Sequence, residues 1–162
     1  SALIARLSEA QLAQVLEENA DEPHADLVAH LLKQQPLETT DALERVLRLG
    51  LAEAAPSLDT REVKMSSRRT FQALRIAVNH EFSSLDALLR LLPHCLGPGG
   101  RAALITFHSG EDRRVKKAFQ TGHRDGIYTG IAPEVIRASM DETRANRRAS
   151  PAKLRWAVRA EV

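Results

Sequence analysis

A histidine and a serine lie where a short apolar run gives way to a helical pattern. Residues 101–107 have the length and composition of a buried strand, and His108 and Ser109 follow directly. Ligands of open α/β sheets bind beyond the carboxyl ends of the strands, so these two side chains are candidate site residues. A histidine there can accept a proton, orient a base or contact a phosphate, and it can equally be a structural hydrogen-bonding residue. Neighbouring residues do not readily form a serine–histidine nucleophile pair, so a hydrolase centred on His108 and Asp112 is only a third hypothesis.

Two clusters of basic side chains lie in the second part of the chain. One comprises Arg113, Arg114, Lys116 and Lys117, and the other comprises Arg144, Arg147, Arg148, Lys153 and Arg155. Residues 1–60 carry 4 basic and 11 acidic side chains, whereas residues 61–162 carry 19 basic and 10 acidic ones. This asymmetry favours an anionic partner such as nucleic acid, although a solvated helix face can have the same composition. Aromatic residues make up 4% of the chain, which argues against a platform for several single-stranded bases.

Several kinds of site are absent from the sequence. Cys95 is the only cysteine, so no disulfide can form within the chain, and its leucine-rich surroundings predict a buried thiol. His24 and His30 are not spaced for one helical face, and we expect no structural metal. Neither a G-x-G-x-x-G nor a Walker motif is present. No apolar run approaches the ~18 residues of a membrane span and no signal-peptide pattern is seen, which predicts a soluble cytoplasmic protein.

Residues 1–64 have the pattern of an acidic bundle of short amphipathic helices. Three signals mark helix starts, namely the Ser8/Gln11 capping box, Pro23, and Thr39 or Thr40. The third helix is expected to stop at Gly50. The pattern then breaks around Pro56, which we interpret as the connection to a second domain, residues 65–162.

The second domain has the pattern of alternating helices and strands. A long helix is predicted from about residue 66 to Leu92, and its apolar face comprises Phe71, Leu74, Val78, Phe82, Leu85 and Leu89. Arg68, Gln72, Arg75 and Asn79 form a polar stripe beside that face, either as an ordinary exposed stripe or as part of a site.

Pro93 is expected to end this helix, and Gly97–Gly100 supplies a tight turn. The 101–107 run is then predicted to be a buried parallel strand, followed by a helix that Ser109 caps with Asp112 at its third position. A short strand is possible around Tyr128. Residues 152–159 predict a terminal strand whose inward side chains are Leu154, Trp156 and Val158.

Four segments resemble one known family. They are RTFQALRIAVNHE at 69–81, GGR at 99–101, TFHSGEDR at 106–113 and NRRASPAKLR at 146–155. In type, order and spacing they resemble the bacterial S-adenosylmethionine-dependent 16S rRNA (cytosine-N4) methyltransferases. Gly110 departs from the family pattern, which usually has leucine there.

The resemblance implies a fold and a reaction. The fold is α/β, with an all-α helical insertion domain followed by the C-terminal part of a Rossmann-like class I methyltransferase sheet. The reaction is methylation of the exocyclic N4 of a cytidine in 16S rRNA of the small ribosomal subunit. Positioning should dominate its catalysis, and the base must be reached outside its stack.

The resemblance also implies roles for individual residues. His108 and Ser109 would lie at the rim near the target base, and Arg69, Gln72, Arg75 and Asn79 would support the crevice. From the two basic clusters, and not from the resemblance, the residues expected to contact RNA are Arg113, Arg114, Lys116, Lys117, Arg147, Arg148 and Lys153.

In the family, the cofactor loop precedes the helical domain. The resemblance implies that the complete enzyme uses S-adenosylmethionine, but this chain alone is not expected to bind it or to turn over. The 101–107 strand should expose an edge that the missing N-terminal half would cover, and that edge invites a homodimer. A non-catalytic RNA-binding or interaction module is the alternative.

Overall fold

The computed structural model describes residues 2–161 and divides the chain into two compact units. The first unit comprises residues 1–81 and the second comprises residues 82–162. The sequence placed a domain boundary at residue 64, which lies inside a continuous helix of the first unit. None of the helices in the described residues is both long and apolar enough to span a membrane.

The described part of the first unit is helical. Its helices are α1 (Ala2–Arg6), α2 (Glu9–Ala20), α3 (Ala25–Lys33), α4 (Thr40–Ala54) and α5 (Thr60–Asn79). The capping box that starts α2 is confirmed, because the Gln11 N–H donates to Ser8 Oγ at 3.2 Å and the Ser8 N–H donates to Gln11 Oε1 at 2.9 Å. Thr39 caps α4 as expected by accepting from the Ala42 N–H. A second capping box, formed by Asp59 and Glu62, starts α5 well before the predicted position.

Leucine side chains form the core of the first unit. Those that are fully buried are Leu12, Leu16, Leu32, Leu47 and Leu51. Helix α5 adds a buried face that combines apolar side chains with small hydroxyl ones, namely Val63, Ser66, Ser67, Thr70, Ala73 and Ile76. Of the predicted apolar face, Phe71 and Leu74 are half-buried and pack against this core, whereas Val78 is exposed. Phe82 and Leu89, which were predicted on the same face, are buried in the second unit. Ser66 donates to the buried Glu22 at 2.8 Å, which joins α5 to the turn after α2.

Gly50 does not end the third predicted helix, because α4 continues to Ala54. A Cβ atom at position 50 would lie 2.6 Å from Leu31 Cδ2. Glycine is therefore present because α3 and α4 approach closely there, and its usual tendency to end helices is overridden by packing.

The long helix predicted from about residue 66 to Leu92 is two helices. His80 adopts a left-handed conformation, with φ 54° and ψ 35°, and ends α5. Helix α6 (Glu81–Cys95) follows directly and contains Pro93, which was expected to end it. Cys95 is exposed, so the prediction of a buried thiol is wrong.

The second unit combines two long helices with a small antiparallel sheet. After α6 come β1 (Arg101–Thr106), α7 (Ser109–Arg124), β2 (Tyr128–Ile131), β3 (Ile136–Arg137), α8 (Met140–Ala145), a 3₁₀ turn (Arg147–Ala149) and β4 (Lys153–Arg159). The strand order is β1-β4-β2, and β3 also pairs with β4. The Gly97–Gly100 turn is confirmed, with the Gly100 N–H donating to the Gly97 carbonyl at 2.9 Å.

Strand β1 is neither parallel nor buried on both faces. It pairs antiparallel with β4, and its exposed residues alternate with buried ones. One face of the sheet packs against α6 and α7 in a cluster that includes Leu89, Val115, Phe119 and Ala157. The other face bears Ile105, which is 58% exposed. One covered and one open face are typical of antiparallel sheets.

The alternation predicted for β4 is present, but its covered face is the opposite one. Arg155 and Ala157 are buried, whereas Leu154, Trp156 and Val158 are only half-buried. Arg155 can occupy the covered face because it is paired there with an acidic partner, as described below. A helix-rich chain with this sheet is compatible with the C-terminal part of an α/β methyltransferase, and the insertion domain remains a prediction.

Candidate functional site

The junction between β1 and α7 is held by a capping box. His108 is the N-cap residue, and its Nδ1 accepts from the Glu111 N–H at 3.3 Å. Glu111 Oε2 accepts from the N–H groups of Phe107, at 2.9 Å, and of His108, at 3.4 Å. The predicted Ser109/Asp112 cap is therefore wrong. The three-residue spacing of His108 and Glu111 could have indicated this capping box, but histidine is not among the residues usually expected at an N-cap.

The His108 ring is turned into the unit. Its side chain is largely buried, its centroid lies 5.7 Å from that of Phe82, and Nε2 lies 3.4 Å from Glu111 Oε1. Gly110 makes room for this arrangement, since a Cβ there would lie 2.6 Å from Phe82 Cζ. Glycine thus fits the position where the family usually has leucine. The geometry presents His108 as a residue that shapes the loop.

An ion-pair network ties the first turn of α7 to β4. Arg155 donates to both carboxylate oxygens of Asp112, at 2.7 and 3.2 Å, and Lys153 Nζ lies 3.9 Å from Oδ2. All three side chains are largely buried, at 15% exposure for Asp112, 10% for Arg155 and 17% for Lys153. Burial raises the pKa of Asp112, but the Arg155 hydrogen bond and the charges of Arg155, Lys153 and Lys116 outweigh it and hold the pKa below its usual value.

Phe107 has the opposite environment to His108. Its side chain is 56% exposed, although its backbone is fixed by the hydrogen bond to Glu111. Sequence reasoning singled out His108 and Ser109 and gave Phe107 no role. The sequence did contain a signal for Phe107, because it places an aromatic residue at the carboxyl end of a strand, next to the predicted site.

The basic residues of the predicted RNA contact set differ in their environments. Arg113, Lys116 and Lys117 are exposed on α7, and Arg147 and Arg148 are exposed in the 3₁₀ turn. Arg114 instead packs over Phe82, with its Cζ atom 4.1 Å from the ring centroid. Its Nη1 atom lies 3.5 Å from Asp86 Oδ2. Lys153 belongs to the Asp112 network. The structure therefore keeps Arg114 and Lys153 in intramolecular contacts that the sequence did not indicate.

The predicted crevice residues lie together on α5, in the first unit. Arg75 Nε and Nη2 donate to the two Glu81 carboxylate oxygens, at 2.9 and 3.1 Å, and Asn79 Nδ2 donates to Oε1 at 3.1 Å. Arg69 and Gln72 are half-buried. Arg75 and Asn79 thus hold Glu81 beside the left-handed turn at His80, and the crevice role of all four residues stays a prediction.

The similarity of this chain to known proteins extends over nearly its full length and identifies its family. A sequence model of the MraW methylase family matches residues 1–160. This chain belongs to that family. It is 44% identical over 161 residues to ribosomal RNA small subunit methyltransferase H 1 of Agathobacter rectalis, covering 96% of this chain and 46% of the relative. It is 42% identical to methyltransferase H 2 of Alkaliphilus metalliredigens, covering 99% of this chain and 47% of the relative.

A relative from Myxococcus xanthus, ribosomal RNA small subunit methyltransferase H, is 38% identical, with 94% of this chain and 54% of the relative covered. The chain therefore spans about half the length of the curated relatives it matches.

Within residues 2–161, this MraW family member has one glycine-rich segment, at 97–100, and the cofactor site stays a prediction. The glycine-rich turn at 97–100 lies at the amino end of β1, whereas ligands of open sheets bind at the carboxyl ends. No second glycine-rich loop follows a strand and opens a helix within residues 2–161. We therefore derive no methyl-transfer step from these residues.

Proposed function

We propose that this chain is part of an S-adenosylmethionine-dependent methyltransferase that modifies N4 of a cytidine in 16S rRNA. The observation that carries the proposal is the MraW family match over residues 1–160, together with relatives named as ribosomal RNA small subunit methyltransferases. Such an enzyme would work in the cytoplasm, on the small ribosomal subunit.

In this proposal the chain supplies the RNA-facing part of the enzyme. The side chains of Lys116, Lys117, Arg147 and Arg148 are exposed and would contact phosphates, together with the exposed Arg113. His108 and Ser109 shape the rim near the target base, because the His108 ring nitrogens face Glu111 and the ring packs near Phe82. These residues position the RNA, and positioning is the main requirement for transfer to an amine.

The remaining part of the enzyme would complete the sheet at β1. In the described residues β1 pairs only with β4, so its other edge is free for a further strand. We propose that this edge receives the half of the relatives that the present chain does not cover, and that this half brings the cofactor site. A second copy of the chain is the other candidate for the same edge.

The proposal is tested by complementation. The chain is co-expressed with the part of the Agathobacter rectalis relative that its alignment leaves uncovered, in a strain without the endogenous enzyme. Nucleoside mass spectrometry of 16S rRNA should then show N4-methylcytidine. Each part expressed alone should give none, and the intact relative serves as the positive control. Methylation at another cytidine atom, or none despite a soluble complex and an active control, would contradict the proposal.

A non-catalytic RNA-binding module is the second candidate, and the exposed basic side chains of α7 and the 3₁₀ turn favour it. Calorimetric titration of the single chain with S-adenosylmethionine tests where the cofactor site lies, whereas the complementation assay separates the two candidates. Both candidates predict no binding by the chain alone, so micromolar binding would contradict our assignment of the cofactor site to the other half. RNA binding without restored methylation in the complementation assay would favour the module.

A further inference from the structure

The outer face of α7 is positively charged. Five exposed side chains lie on it, namely Arg113, Lys116, Lys117, Gln120 and Arg124. At 3.6 residues per turn, their positions fall within about 100° of the helix surface, on the side away from the buried Val115 and Gly122. These five residues are called the basic face of α7.

The two carboxylates of α7 are held by other contacts. Glu111 accepts from two backbone N–H groups in the capping box. Asp112 is paired with Arg155 and is 15% exposed. Asp125, just beyond the helix, has its Oδ1 atom 3.6 Å from Arg124 Nε, but both side chains are exposed and such a pair is weak. The basic face of α7 therefore keeps a surplus of positive charge.

The length and shape of this face suit a rigid anionic ligand. Arg113 and Arg124 are eleven residues apart, which is about 16 Å along the helix axis. Val115 and Phe119 fix the opposite side of α7 in the core of the second unit. The helix thus presents its charges along a rigid, convex line. The phosphates of a nucleic-acid duplex are likewise held in regular, closely spaced rows.

Single-stranded RNA makes different demands on a protein surface. Proteins bind it in a basic groove, where aromatic side chains stack on successive bases. None of the exposed residues of α7 is aromatic. Duplex RNA is recognised mostly by its shape and by contacts to phosphates and 2′-hydroxyls, which need no stacking. The basic face of α7 therefore fits a duplex better than a single strand.

We propose that the basic face of α7 binds the phosphate backbone of a double-helical segment of RNA. The inference rests on the proposed function, and it names the form of RNA that this part of the chain contacts. Phosphate contacts fix the position of a protein on a nucleic acid but do not read its sequence. The basic face of α7 would thus orient the enzyme on a stem of the rRNA, whereas the target base is met elsewhere.

The test compares two fluorescein-labelled RNA probes with the intact chain. The first probe is a stem-loop, and the second is an unstructured oligouridine with the same number of phosphates. Fluorescence anisotropy measures the dissociation constants over a range of salt concentrations. The stem-loop should bind more tightly, and a stem-loop with a scrambled stem sequence should bind equally well.

Variants of the basic face should change the salt dependence of stem-loop binding. Lys116→Gln should reduce the slope of log affinity against log salt concentration by about 0.9, the value per phosphate contact in B-form DNA. Lys116→Gln combined with Lys117→Gln should reduce it by about 1.8, the sum for two contacts. Lys116→Arg keeps the charge and should keep the slope.

A matched control removes the same charge from another helix. Lys64 is an exposed lysine of α5 in the first unit, and Lys64→Gln should leave the slope unchanged. Circular dichroism and thermal unfolding confirm that each variant is folded. Equal losses of slope in Lys64→Gln and Lys116→Gln would show an effect of net charge alone and would overturn the inference.

The remaining outcomes separate the inference from the proposed function. Equal or tighter binding of the single-stranded probe would overturn the assignment to a duplex, while the RNA-facing role of the chain would stand. An affinity that depends strongly on the stem sequence would also overturn it, because phosphate contacts carry no sequence information. If the wild-type chain binds neither probe, the RNA-facing role in the proposed function fails together with the inference.

Discussion

The Asp112–Arg155 pair should be the most sensitive electrostatic contact of the second unit. In Asp112→Asn the bidentate acceptor is lost, and the largely buried Arg155 guanidinium keeps its charge without a counter-charge at 2.7 Å. Removing one partner of a buried pair typically costs ~3–5 kcal/mol. Because both side chains retain some exposure, we expect the lower end, about 3 kcal/mol at neutral pH.

The assay is urea unfolding followed by fluorescence. Trp156 is the only tryptophan and lies next to Arg155 in β4, so its emission reports on the second unit. Arg155→Met alone should cost less than Asp112→Asn, because Asp112 then remains in the first turn of α7, where the helix dipole favours a negative charge. In the double variant the Asp112→Asn loss should be partly recovered, since no unpaired charge is left inside.

The loss of stability in Asp112→Asn should also become smaller as the pH falls. The pKa of Asp112 is lowered in the folded protein, so its contribution to stability is present above the usual aspartate range. It is lost as the pH falls below about 4 and through the lowered pKa. Wild type and Asp112→Asn should therefore converge in unfolding free energy at acidic pH. A loss below about 1 kcal/mol, as at exposed ion pairs, or strictly additive effects in the double variant, would refute the reasoning.

Three further expectations follow from packing, capping and the sheet edge. Gly50→Ala should lower the unfolding free energy of the first unit by about 1–3 kcal/mol, because the new Cβ meets Leu31 at 2.6 Å; a thermal melt no lower than that of wild type would contradict this. His108→Ala should cost about 1 kcal/mol, whereas His108→Asn should retain most of the stability as an N-cap; similar losses in both would argue against the cap role. Sedimentation velocity of the chain alone should show self-association through the free β1 edge, and a strictly monomeric, well-folded chain would exclude it.

Sequence reasoning succeeded where the determinants are local. The Ser8/Gln11 capping box, the Thr39 cap and the Gly97–Gly100 turn are set by a few neighbouring side chains, and all three are present. The family could also be predicted, because its segments are long and correctly ordered; the match over residues 1–160 confirms it.

Sequence reasoning failed where residues far apart in the chain determine the local structure. Gly50 stays helical because of Leu31, and the break at His80 needs a left-handed residue that periodicity does not show. The covered face of β4 was inverted because Arg155 looks solvent-facing until its Asp112 partner is known. Alternation fixes which side chains share a face, but the charges that can be paired determine which face is covered.

The candidate site shows the same limit. The position at the carboxyl end of β1 was found from the sequence, since it follows from the strand–helix order. The opposite orientations of two adjacent rings could not be found, because they depend on Glu111 and on the contact with Phe82.

The order of the strands has a consequence for synthesis of the protein. Strand β4 lies between β1 and β2 in the sheet, yet it follows both of them in the chain. The helices of the first unit can pack as soon as they leave the ribosome, whereas the described residues offer β1 and β2 no sheet partner until residues 153–159 have been translated. A nascent chain arrested before β4 should therefore combine a protease-resistant helical unit with an unprotected second unit.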